Sequence, residues 1–265
     1  MTFITAEIGI NHNGSMKIAK ELIDVASAAG CNAVKFQKRN VEKVYSKKVL
    51  DSYRESMWGT TTREQKFGLE FSEKQYSKID QYCKKKKILW HVSCWDVGSQ
   101  IQMQKFKTKY NKVASAMLTH KKLLETIAEE GKYTFISTGM STMKDISKAV
   151  KIFKTHDCSF ELMHSHSAYP MPPHEANLRM IQTLRKKFKC KVGYSGHEIS
   201  SYSICLAAAL LGATSIERHI TLDRSMYGSD QAASLEPKGL IRLMRDIREL
   251  DFILGDGKKI IWDSE

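Results

Sequence analysis

No apolar run in the sequence approaches the roughly 18 residues that a membrane-crossing helix needs. The first residues, MTFITAEIGINHNG, read directly as a strand and lack the basic start of a secretory signal. The six cysteines, at 31, 83, 94, 158, 190 and 205, form no C-x-x-C pair and no regular framework. They are expected to be reduced thiols in a cytoplasmic protein. The glycines of GINHNG lack the G-x-G-x-x-G spacing, which weighs against an open, doubly wound nucleotide-binding sheet. No composition shift and no Pro/Gly/Ser-rich linker marks a second domain. Acid is scarce relative to base: 29 Asp and Glu against 42 Lys and Arg leave a formal charge of +13. Such a balance raises nucleic acid, a membrane surface or a small anion as partner. The sharpest basic run, Lys84–Lys87, falls at the end of an expected helix, where cations suit the dipole. No zinc-finger or RRM-type signature accompanies it, and no basic stripe interleaved with aromatics. The small anion is the reading that survives.

What is present is an alternation of strand and helix patterns along the whole chain. Strands are expected at Thr2–Gly9, Asn32–Gln37, Ile88–Ser93, Tyr110–Ser115, Tyr133–Thr138, Phe160–Ser165, Lys191–Ser195 and Thr214–Ile220. Helices are expected at Lys17–Ala29, Glu73–Lys86, Val97–Phe106, Lys121–Glu130, Met143–Thr155, Glu175–Phe188, Ser200–Gly212 and Gly239–Leu254. The polar stretch Lys38–Ser72 is too long for a plain connection and reads as a functional loop. Eight β-α units in 265 residues, 42% of them hydrophobic, fit an α/β protein folded as a single (β/α)8 TIM barrel over 1–265.

In such a barrel the chemistry sits at the carboxyl ends of the strands. The polar residues there are Glu7, Asn11 and His12; Lys35 and Gln37; Ser93 and Asp96; Lys112 and Ser115; Ser137 and Thr138; His164, Ser165, His166, Ser167 and Tyr169; Ser195, His197 and Glu198; and Glu217, His219 and Asp230. Lys35 and Lys112 lie inside apolar strand runs, where a lone ammonium costs several kcal/mol. Each must face an anion or be paired; a phosphate is the preferred reading, and a salt bridge to Glu7 or Glu217 is the alternative. The serines could join the lysines as phosphate donors, although singly each also suits a cap or a turn. His197 and His219 lie at or beside the ends of the last two strands. If those strands are parallel neighbours, both imidazoles reach one sheet edge, as half of a divalent-metal site or as structural core histidines. His12, His164 and His166 are weaker metal candidates, and His91, His120, His156 and His174 read as structural or exposed. These residues describe a phosphate-binding, metal-dependent barrel enzyme, which sugar-phosphate isomerases and metal-dependent aldolases would match as well.

The motifs AEIGINHNG, VKFQ, KVAS, FISTGMS, the H-x-x-x-x-YP turn, GYSGHE and ERHIT occur in the order seen in sialic acid synthases, and the chain resembles that family from about Phe3 to Leu254. The resemblance implies condensation of phosphoenolpyruvate with an aldose, N-acetylmannosamine or a relative, to a nonulosonic acid with release of phosphate. It implies a divalent metal, most often Mn2+ with Mg2+ or Co2+ as substitutes, on His197 and His219. It assigns phosphoenolpyruvate to Lys35, Ser93, Lys112, Ser115, Ser137 and Ser195, catalysis to Glu7, and the sugar to Tyr169 and Asp230; Ser167 joins the substrate-binding set. Two departures stand out. Met117, in KVASAM, occupies the place of a sugar-site acid. The chain also stops after the barrel, so the expectation is a short form without the usual C-terminal antifreeze-like domain. Expected partners are the two substrates, with self-association and a separately encoded antifreeze-like lid as further candidates, and neither nucleic acid nor membrane. The rival readings are a catalytically impaired or partner-requiring subunit and a metal-dependent sugar-phosphate aldolase.

Overall fold

The computed structural model describes residues 1–199 and 202–265, with strand and helix alternating as the apolar pattern dictates. β1 (Phe3–Gly9) leads to α1 (Met16–Ala28), which starts where the Ser15 side chain accepts from the Ile18 N–H. β2 (Ala33–Lys38) opens the stretch expected as a loop. That stretch carries α2 (Val41–Val44), α3 (Lys47–Leu50), an antiparallel hairpin of β3 (Tyr53–Ser56) and β4 (Gly59–Thr61), and α4 (Thr62–Leu69). These elements are too short to leave an apolar period, and the hairpin faces solvent, so nothing in the pattern marks them. After them come α5 (Glu73–Lys85), β5 (Leu89–Cys94), α6 (Val97–Gln104), β6 (Asn111–Val113), α7 (Lys121–Glu129), β7 (Thr134–Ser137) and α8 (Met143–Thr155). β8 (Phe160–Ser165), α9 (Met180–Phe188), β9 (Lys191–Gly196), α10 (Tyr202–Leu210), β10 (Ser215–His219) and α11 (Pro237–Leu254) complete the series.

Helix α9 starts five residues later than the sequence suggests. Pro172 and Pro173 hold a 3-10 turn over Pro173–Glu175, and Asn177, at a φ of 39°, interrupts the run before a helix can form. The expected start of the helix at Ser200 lies outside the described residues.

The eight long-range strands close into a barrel in the order β1-β10-β9-β8-β7-β6-β5-β2, every pair parallel. Alternation along each strand sends one set of side chains outward and the other into the barrel. The outward set, including Ile4, Ile8, Val34, Phe36, Ile136, Leu162, Val192 and Ile216, is buried against the apolar faces of the helices, such as Leu22 and Ile23 of α1 and Leu123 and Ile127 of α7. Burying each such side chain contributes roughly 1.5–3 kcal/mol. The inward set differs by level. Near the amino-terminal end Phe135 stacks among Phe3, Tyr110 and Tyr133 at centroid distances of 5.6, 5.4 and 5.5 Å, and His91 lies against it at 5.8 Å. Towards the carboxyl end the inward residues become charged and hydroxylic.

No helix among the described residues is long and apolar enough to cross a membrane. All six cysteines are free.

Candidate active site

Strand register sets the site. Glu7 pairs with Lys35 on one side and with His219 on the other; Ser93 pairs with Lys112; Ser195 pairs with both Ser165 and Glu217. Residues two apart on a strand share a face, so Lys35 brings Gln37 with it and His219 brings Glu217. The result is a cavity of about 150 Å³ at the carboxyl mouth of the barrel. Glu7, Lys35, Ser93, Lys112, Ser115, Ser137, Ser167, Tyr169, Ser195, His197 and His219 line it, together with Gln37, Trp95, Ala114, Ala116, Met140 and Glu217. Gly139 keeps the mouth open: a Cβ there would lie 2.3 Å from Ser167 Oγ and 2.8 Å from Ser115 Oγ. A larger groove of about 420 Å³ runs between α7 and α8 on the outer wall. Its charged groups include two ion pairs, Lys121 with Glu125 and Lys148 with Asp145, and no strand end reaches it, so the mouth is where chemistry can assemble.

The two lysines are ion-paired, so the alternative to a directly exposed phosphate cradle is the one realised. Lys35 Nζ lies 2.9 Å from Glu7 Oε1 and 3.5 Å from Glu217 Oε1, and Lys112 Nζ lies 3.1 Å from Glu217 Oε2. Lys35 also donates to Ser93 Oγ at 3.4 Å, while Lys112 spends a donor on Met163 Sδ, a weak acceptor, at 2.9 Å. Two ammoniums and two carboxylates therefore form a buried set with no net charge. Burial alone would lower both lysines. Lys35, between Glu217 and Glu7, is held above the ordinary lysine value, whereas Lys112 falls below it because burial outweighs its single carboxylate. Burial works against the Glu217 anion too, but Lys112 and then Lys35 overcome it and bring its pKa down to about 2. Glu7 Oε1 accepts from Gln37 Nε2 at 3.0 Å, and its Oε2 is buried without a partner.

The two histidines meet beside this set, ring centroids 5.5 Å apart. His197 Nδ1 donates to the His166 carbonyl, which leaves the lone pair on Nε2; Tyr169 Oη lies 2.8 Å from that nitrogen, and its ring stacks on His197 at 4.0 Å. Burial, then the neighbouring His219, lowers His197 to about 3, so it is a neutral ring. His219 Nδ1 is buried without a hydrogen-bond partner, its nearest carboxylate oxygen being Asp230 Oδ2 at 3.7 Å. A neutral imidazole oriented by a backbone carbonyl, facing a second with an unpaired nitrogen, suits a divalent ion at metal–nitrogen bonds of about 2.0–2.1 Å. Among the described residues no group of three or more histidine, cysteine or carboxylate side chains could hold an ion. Water or substrate oxygens would have to complete any coordination.

The other candidates are elsewhere. His12 stacks on Phe71 at 4.0 Å and accepts from the Gly14 N–H, and burial followed by Arg39 lowers it to about 3. His164 Nε2 meets the Ala176 carbonyl, and His166 Nε2 lies 3.0 Å from Glu175. Asp96 caps α6 and accepts from the Asn40 N–H, and Glu198 pairs with Arg218 outside the barrel. Met117 is packed against the hydrophobic core, and Ala116 faces the mouth instead. Glu217 and Gln37, expected at the strand ends but given no catalytic or binding role by the sequence, line the cavity as well, and Trp95 and Met140 were not singled out at all.

A family profile described as the NeuB family matches residues 22–259. N-acetylneuraminate-9-phosphate synthase of Mus musculus is 38% identical over 99% of this chain and 74% of its own length. N,N'-diacetyllegionaminic acid synthase of Campylobacter jejuni is 34% identical over 100% of this chain and 80% of its own. Among solved structures, N-acetylneuraminic acid (sialic acid) synthetase of Leptospira borgpetersenii, in complex with citrate, superposes with a TM-score of 0.88 at 34% identity, covering 100% of this chain and 88% of that one.

Proposed function

The chain belongs to the NeuB family, and from that premise we infer that it is a phosphoenolpyruvate-dependent condensing enzyme that joins the three-carbon unit to an aldose, N-acetylmannosamine or a related sugar, and releases phosphate. The observation that carries this reading is the convergence of Lys35, Lys112, His197 and His219 on one cavity at the barrel mouth.

Charge supports the metal assignment. The Lys35, Lys112, Glu7 and Glu217 set is neutral, so a multiply charged phosphate ester entering beside it needs further positive charge. His197 and His219 adjoin the set and are the residues that would hold a divalent ion, manganese first and magnesium or cobalt as substitutes. Such an ion supplies Lewis-acid polarisation of the aldehyde oxygen when bound.

The chain's own residues account for the remaining needs. Lys112, whose weak sulfur contact is readily exchanged, and Lys35 bind the ester's anionic groups and stabilise the departing phosphate. Ser93, Ser115, Ser137, Ser167 and Ser195 offer hydroxyl donors around the same space. Carbon 3 of phosphoenolpyruvate forms the new bond to the aldehyde carbon. The aldehyde C=O π bond breaks as this bond forms, leaving an alkoxide. Water adds at carbon 2 and gives one proton to Glu7 Oε2, which passes it to the alkoxide. The carbon 2–oxygen bond to phosphate then breaks as the carbon 2 hydroxyl proton leaves with the phosphate and a ketone forms. Tyr169, at 42% exposure on the cavity lip, and Asp230, beside His219, would meet sugar hydroxyls. With Ala116 at the lip and Met117 turned into the core, no acid from this turn reaches the sugar.

The test is phosphate release from phosphoenolpyruvate across a panel of aldoses, with and without a chelator. Release is expected only with both an aldose and a divalent metal. Release without an aldose, or activity undiminished by chelation and by His197→Ala, overturns the corresponding half of the reading.

A further inference from the structure

Arg218 has the largest side chain that the described residues bury completely, and it lies outside the barrel. Alternation on β10 sends Glu217 and His219 inward and Arg218 outward. Its guanidinium donates to Glu198 Oε1, to the Glu198 carbonyl, and to the Ala233 carbonyl at 3.2 Å. Glu198 Oε2 in turn accepts from Tyr194 Oη at 3.0 Å, and a Cβ on Gly196 would come within 2.5 Å of it. The partners are not scattered. Glu198 directly follows His197, Arg218 directly precedes His219, and Ala233 closes the 3-10 turn that directly follows Asp230. One planar fork thus ties together the three segments that deliver His197, His219 and Asp230.

Stability alone does not call for such a group. A buried ion pair can be replaced by apolar residues of similar volume with little loss and often a gain. What an apolar pair cannot reproduce is direction, which the rigid guanidinium imposes on three acceptors at once. We propose that Arg218, with Glu198, is a positioning residue: it sets the spacing and orientation of the two imidazoles and of Asp230. This rests on the reading above that the imidazoles hold a metal.

The decisive protein is the double variant R218M/E198M, in which both charges are removed together. It is expected to unfold at or above the wild-type temperature, yet to bind Mn2+ about 10-fold or more weakly by calorimetry. The side-chain 15N resonances of His197 and His219 in the metal-free protein are expected to shift. R218K, which keeps the charge but not the fork, carries the same two expectations and replaces the double variant if that does not fold. Wild-type affinity and unmoved resonances in either folded variant overturn the proposal. If the wild-type protein itself takes up no Mn2+, the metal assignment fails, and the resonances alone decide: shifted in the variants, positioning stands; unshifted, it falls.

Discussion

The two ends of the barrel interior are built from the same strands, and they spend their side chains differently. At the amino-terminal end Phe3, Tyr110, Tyr133 and Phe135 fill the space with aromatic rings. Towards the carboxyl end β1, β2, β6 and β10 supply Glu7, Lys35, Lys112 and Glu217, whose charges balance. The floor is a packing solution and gains its energy from area and shape. The mouth gains little from burial and keeps polar capacity that the fold itself does not use: an unpartnered Glu7 Oε2, an unpaired His219 nitrogen and a lysine resting on sulfur. Unused polar capacity that sits among balanced charges and opens on a cavity distinguishes the mouth; the unpartnered His91 ring on the floor does not line that cavity.

The sharpest way to break this division is to exchange its effects. Lys112→Met at the mouth is expected to lower kcat for phosphate release by about 10²–10³-fold, as loss of one preorganised donor does elsewhere. Steady-state kinetics on folded protein reads this, and an unchanged kcat would place Lys112 with the structural residues. Phe135→Ala on the floor is expected to cost about 3–5 kcal/mol of stability and to leave kcat and KM unchanged below the transition. Thermal unfolding and kinetics on the same sample decide it.

A finer test uses pH. His12, His91 and His197 are each lowered to about 3 by burial first, with Arg39 helping at His12, the two lysines at His91 and the neighbouring ring at His197. Above about pH 6.5 they are neutral whether the chain is folded or not. Below that the unfolded chain takes up protons the folded chain refuses, so stability falls as pH drops from about 6.5 towards 3. At pH 5 the loss is about 2 kcal/mol for each ring. His91 belongs to the floor, and neither of its ring nitrogens has a partner. His91→Leu should therefore blunt the fall in Tm between pH 7 and pH 5 without harming stability at pH 7. An undiminished pH response would show that His91 is not neutral in the fold.

Much of this was legible in the sequence because parallel strands are apolar on their outer faces and each is followed by an amphipathic helix. The eight barrel strands fall within two residues of where the pattern puts them. The misses have local causes. The insertion between β2 and α5 is built of four-residue helices and a solvent-facing hairpin, which carry no period to detect. The late start of α9 follows from prolines and a left-handed asparagine. At the site, residue types could be read, and Glu7 and Glu217 with them as possible partners of the lysines, but the choice between an anion and a salt bridge could not. That Glu7 lies nearest Lys35 and that Glu217 is shared by both lysines depends on strands far apart in sequence lying side by side. Met117 shows the reverse: a residue that looks decisive by motif position turns away from the mouth.

Glu217 sits on the last barrel strand to be synthesised, and it is the only carboxylate in ion-pair contact with Lys112 among the described residues. Until β10 inserts between β1 and β9, the Lys112 ammonium lacks the one carboxylate that is in ion-pair contact with it among the described residues. A partly assembled barrel is thereby penalised, and the final strand brings charge neutrality along with its hydrogen bonds. The arrangement that readies the mouth for an anion also makes closure the step at which the interior becomes tolerable, so a chain halted before residue 217 should stay open rather than settle into a near-complete imitation of the fold.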